Sequence, residues 1–191
     1  MGKRLAAAAV AVAVMAGAAG CGGSGNSGQV RARQVRAQTV AQMQALARRF
    51  LASGLGPVIG NRGPHGTEGN YRGCPPARAH GMANGIYYST NFAAGRVSEA
   101  TGRGSGFRQR VASVLTGAGW RLAPVSTPRD IEPFGYDMIK GHLDGFAEAS
   151  LRTGHIFVVL ISLNSQCFDA GSAKASLTNK AETDPLPSAS G

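Results

Sequence analysis

Four histidines are the first candidates for proton transfer or metal binding: His65, His80, His142 and His155. None stands in a His-Glu-x-x-His pattern or one helical turn from a second ligand. His142 and Asp144 alternate along one stretch, which puts both on the same strand face. Two such neighbours can hold a metal or relay a proton, but a solvated face is the commoner meaning of the pattern. The run Gly102-Arg103-Gly104-Ser105-Gly106 precedes a helical pattern, where free amides could cradle an anion. It lacks the Lys-Ser/Thr ending of a phosphate loop and reads more simply as a glycine-rich connection. No Gly-x-Ser-x-Gly elbow occurs. Glu68 and Glu99 stand alone, and the 10 acids are scattered singly, so no carboxylate pair suggests glycoside hydrolysis. The sequence thus offers no catalytic residue, no metal ligand set and no cofactor motif.

Charge is the stronger signal. The chain carries 20 Lys and Arg against 10 Asp and Glu, a formal net charge of +10. Arg outnumbers Lys, and Ala and Gly are abundant, a bias that GC-rich coding produces without any binding role. The competing reading is specific anion binding, since a basic surface attracts lipid headgroups, envelope polymers and acidic ligands.

The elements that must position these groups follow from periodicity. Residues 29–53 contain no Gly or Pro, and Val35, Thr39, Met43, Leu46 and Phe50 recur at helical steps, so a helix is expected there. Arg31, Arg33, Arg36, Arg48 and Arg49 stud it with no acid among them. One reading is a core helix with a solvated face. The other makes Arg31, Arg33 and Arg36 contacts for anionic lipid. Residues 54–82 are rich in Gly and Pro and read as a long loop. Residues 85–92 read as a strand, 104–116 as a second helix and 120–125 as a short strand.

Residues 138–152 alternate as one strand, with Ile139, Leu143, Ala147, Ala149 and Leu151 on one face. A two-residue turn at Thr153-Gly154 leads to an apolar strand over 155–163, which would pair Leu151 with Ile156, Ala149 with Val158 and Ala147 with Leu160. Residues 169–191 are polar and read as a disordered tail. The expected fold class is α+β: an antiparallel sheet of about four strands with helices packed on one face, a two-layer sandwich.

The first 20 residues have another character. Lys3 and Arg4 precede an apolar run of about 12 residues, too short for a membrane span that needs about 20. Small residues then lead to a cysteine, in the order Ala18-Ala19-Gly20-Cys21. This segment resembles the lipobox of bacterial lipoproteins, with Ala18 where that pattern usually has Leu. An ordinary signal peptide beside a chance cysteine is the competing reading. The resemblance covers only the leader and Cys21. It implies cleavage before Cys21 and a diacylglycerol on its thiol, and two acyl chains suffice for stable anchoring. The general layout is similar to that of small lipoproteins of high-GC Gram-positive bacteria.

If Cys21 is acylated, Cys74 and Cys167 remain, an even pair in an oxidising compartment. A bridge would close a loop of roughly 90 residues, worth about 4–5 kcal/mol in the chain-entropy model. Two free buried thiols are the alternative. The expected organisation is a signal peptide over 1–20, lipidated Cys21 with a flexible tether over 21–28, one domain over 29–168 and the tail. Without Lys3 and Arg4, 18 cationic residues face the 10 acids, a net charge of +8. Export removes nucleic acid from the partners. The expected function is a non-catalytic binding or scaffold module on the extracytoplasmic face of the cell membrane. Its partners would be the membrane itself through the lipid anchor, an anionic envelope polymer or another envelope protein. A secreted hydrolase acting on an envelope component is the alternative.

Overall fold

The computed structural model describes residues 26–125, 134–152 and 154–187. Helix α1 spans Asn26–Ala52. Its core stripe is the one that periodicity indicates: Thr39, Met43, Leu46 and Phe50 are fully buried. The chain leaves the helix at Gly54, whose φ of 67° suits a residue without a side chain.

Among the described residues nine strands follow: β1 Val58–Ile59, β2 Gly66–Gly73, β3 Gly85–Ser98, β4 Arg121–Val125, β5 Phe134–Lys140, β6 Leu143–Arg152, β7 Ile156–Asn164, β8 Phe168–Asp169 and β9 Ala181–Pro185. Short helices α2 Pro76–Ala79, α3 Glu99–Arg103 and α5 Lys174–Thr178 lie between them, with the longer α4 at Ser105–Gly117. The strands form one sheet in the order β4-β5-β6-β7-β3-β2-β9, while β1 and β8 also pair with β3. Every pairing is antiparallel.

Helix α1 lies across the sheet over β3. Between them Phe50 meets Phe92 edge-on at 6.1 Å. Further along, α4 seats Phe107, Val111 and Leu115 in the same core. Each large side chain fully buried in this way contributes about 1.5–3 kcal/mol. A second, smaller core gathers Ala32, Tyr71, Ile86, Tyr88, Phe168 and Ala170 under the first half of α1.

The expected two-layer sandwich with a sheet of about four strands is corrected to one antiparallel sheet of nine among the described residues, for local reasons. The alternation over 138–152 hides a turn at Gly141 and His142, so the segment is the second half of β5 plus all of β6. Ile139 consequently sits away from the core and is 46% exposed. The expected loop over 54–82 contains β1 and β2, and β2 buries small or polar Thr67 and Gly69 beside Tyr71. Residues 169–187 are not a disordered tail, because they form α5 and the edge strand β9.

The hairpin register also differs by one residue: Leu151 pairs with Phe157, Ala149 with Val159 and Ala147 with Ile161. His155 adopts a φ of 57° and lengthens the connection to three residues. That single slip turns Phe157, Val159 and Ile161 inward in place of their neighbours. Of the expected tether over 21–28, residues 26–28 belong to α1 and the rest lies outside the described residues. Gly28 is already helical and buried, and a Cβ there would stand 2.1 Å from the carbonyl oxygen of Ala170.

Candidate functional site

Strand β9 places Asp184 opposite Thr67 of β2, on the side of the sheet that α1 covers. Its carboxylate is fully buried and fully engaged. Arg36 of α1 reaches it with Nε at 3.0 Å, and the Tyr88 hydroxyl donates to its other oxygen at 2.5 Å. The same guanidinium donates to the Thr183 carbonyl at 2.8 Å and pairs with Glu182 at 3.0 Å. Gly69 makes room for this contact, since a Cβ there would meet the Tyr88 hydroxyl at 1.8 Å. Tyr71 packs on Tyr88 with ring centroids 4.9 Å apart and donates to the Ala32 carbonyl at 2.7 Å.

The electrostatics follow from burial. Burial, then the hydrogen bond and charge of Asp184, push the Tyr88 phenol far above its usual range. Burial likewise pushes Tyr71 up to about 12. For Arg36, burial works against the charge, but the hydrogen bonds to Asp184 and Tyr88 outweigh it and raise its pKa. The cluster is thus a carboxylate held between a permanent cation and a neutral phenol, and removing any one partner strands the others.

This cluster backs a cleft of about 390 Å³ lined by Gln29, Arg33, Arg36, Tyr71, Lys180 and Glu182. Gln29 and Arg33 stand one turn apart on α1, and both are exposed. Their side chains form no hydrogen bond or ion pair among the described residues. Lys180 lies 3.3 Å from Glu182. Three cations here face the two acids Glu182 and Asp184, so one positive charge remains unmatched. The first turn of α1 has no acid, so the positive end of the helix dipole adds to that charge.

A larger hollow of about 600 Å³ lies between α3 and α4, but it is open and Arg110 is its one charged residue. It includes part of the glycine run. Gly102 serves packing there, since a Cβ would come within 2.4 Å of the Phe157 ring.

The remaining candidates are dispersed. Cys74 and Cys167 are joined by a disulfide with Cα atoms 6.0 Å apart. Cys21 lies outside the described residues. The three arginines of the basic helix part company: Arg31 stacks over Phe168 at 5.9 Å, Arg33 borders the cleft and Arg36 is held inside it. Arg36 is therefore unavailable to a lipid surface, because its guanidinium is committed to β9. Asp144 does not pair with His142. It binds Arg78 at 2.7 Å and accepts from Asn164 at 3.0 Å. Glu99 holds His155 at 2.6 Å and Arg103 at 2.8 Å, and these bonds lower its pKa. Glu68 pairs with Arg62. Among the described residues no three His, Cys, Asp or Glu side chains converge to hold a metal.

Sequence reasoning missed Tyr88, Lys180, Glu182 and Asp184. The available signal was the alternation of Glu182 and Asp184, which places two acids on one strand face opposite an acid-free arginine helix. Comparison of the chain with family models, with curated proteins and with solved structures finds no match.

Proposed function

We propose that this chain is a lipoprotein held through Cys21 on the extracytoplasmic face of the cell membrane, where its domain acts as a non-catalytic binding module. The disulfide carries this reading. The sequence has three cysteines, and the bridge uses Cys74 and Cys167. Cys21 is left as the single unpaired thiol, directly after the small residues of the lipobox-like segment. A structural disulfide also fits an oxidising compartment outside the cytoplasm. Among the described residues no helix is long and apolar enough to cross a membrane. In this reading the acyl chains on Cys21 make the attachment. The cleft between α1 and β9 is the binding surface, with Gln29 and Arg33 as its free donors.

Cell fractionation with Cys21→Ser tests the anchor. The variant should leave the membrane fraction or accumulate as an uncleaved precursor. Normal cleavage with unchanged membrane retention contradicts it.

A further inference from the structure

We infer that the cleft between α1 and β9 binds a phosphodiester monoanion, and that its source is the headgroup of an anionic membrane phospholipid. The charge of the site fits such a ligand. The buried Arg36–Asp184 pair and the Lys180–Glu182 contact neutralise most of the cleft, and the surplus is a single positive charge. One negative charge balances it, whereas a dianion would also face the carboxylate of Glu182. The free donors suit tetrahedral oxygens. Arg33 presents a planar fork that can engage two oxygens at once, and the Gln29 amide adds a neutral donor one turn away. Neither side chain has to break an existing bond to turn toward a ligand, because neither has a partner among the described residues.

The source of the phosphodiester is argued from chain length and rests on the anchoring reading above. Five peptide steps separate Cys21 from Asn26, the first residue of α1. A chain of that length spans at most about 17 Å. Arg33 lies seven residues further on, about 10 Å along the helix axis. A lipidated Cys21 therefore keeps the mouth of the cleft within reach of the headgroup layer. Binding there becomes an intramolecular step at high effective concentration, so a weak site suffices to set the orientation of the domain.

The test uses the mature chain, residues 21–191 with Cys21→Ser, so that vesicle binding reports the cleft and neither the leader nor the anchor. Vesicles of phosphatidylcholine, with and without phosphatidylglycerol, are compared by co-sedimentation at physiological ionic strength, where the screening length is about 8 Å. Binding should require phosphatidylglycerol. Adding Arg33→Gln and Lys180→Gln should weaken it roughly 30-fold, from the ordinary contribution of two basic residues at an anionic surface. The matched double variant Arg48→Gln and Arg49→Gln removes equal charge from the other end of α1 and should lose less than about 3-fold by screening. Both pairs are exposed, and an unchanged urea midpoint confirms folding.

Equal losses in the two double variants would overturn the cleft in favour of general charge attraction. Equal binding to phosphatidylcholine alone would overturn the phosphodiester chemistry. Soluble glycerophosphoglycerol that binds in calorimetry as tightly as the vesicles would overturn the membrane source and leave a free phosphodiester. If the Cys21→Ser chain behaves as inferred while the native chain proves unacylated, the anchoring fails and the cleft stands.

Discussion

Asp184 has no exposed side-chain surface, and its two oxygens are held by Arg36 and Tyr88. Asp184→Asn leaves the guanidinium facing a neutral amide. It should lower the unfolding free energy by about 3 kcal/mol, the low end for a broken buried pair, because Arg36 remains 29% exposed. Tyr88→Phe removes one donor from the buried carboxylate and should cost about 1–3 kcal/mol. Urea unfolding measures both, and losses below about 0.5 kcal/mol would show that the cluster does not hold β9. Tyr71 adds a pH dependence with a definite sign. Its phenol rises from an ordinary 10.0 to about 12, so the unfolded chain loses this proton first. The contribution is complete below pH 10 and is lost as pH climbs toward 12, amounting to about 3 kcal/mol. Stability measured across that window should fall less steeply in Tyr71→Phe. Parallel slopes would assign the alkaline loss elsewhere.

At the scale of elements, β9 decides whether the C-terminal segment is structure or tail. Its sequence, Ala-Glu-Thr-Asp-Pro, has no apolar alternation and one strand-favouring residue. It is held in place by partners distant in the chain. Arg36 and Gln44 of α1 donate to the carbonyls of Thr183 and Pro185. These bonds also cover the outer edge of the strand, which would otherwise be open to pairing with another chain. Deleting residues 181–191 should therefore strip the partners of Arg36 and Tyr88 and lower stability by several kcal/mol. An unchanged thermal midpoint would return the segment to a tail.

Helices α1 and α4 could be read because their stripes are local. Strand β9 could not, because the burial of its Asp184 depends on a charge 148 residues away. The β6–β7 register turned on one left-handed residue, His155, whose conformation no pattern of apolar residues records. The cleft is invisible in the sequence for the same reason as β9, and the charge pattern of α1 does not separate Arg33, which borders the cleft, from Arg36, which faces inward.

Across the whole molecule, the bridge between Cys74 and Cys167 ties the segment after β2 to the one between β7 and β8, over a separation of 93 residues. Replacing both cysteines with serine should cost about 4–5 kcal/mol if the effect is that of loop closure in the unfolded chain. A loss under about 1 kcal/mol would mean that the sheet already sets this geometry. The first helix and the last strand of the described residues also meet: the first half of α1 carries the cleft donors, and β9 supplies the cleft's acid and the buried anchor of Arg36. Attachment at Cys21, as proposed, would hold next to the membrane the surface proposed to bind it. The central claim concerns that attachment, and mass spectrometry of the N-terminal peptide of the native protein, extracted from membranes, addresses it most directly. Anchoring predicts a chain that begins at Cys21 and carries a diacylglycerol on its sulfur. A mature chain that begins at another residue, or one whose Cys21 takes up an alkylating reagent as a free thiol, would contradict it.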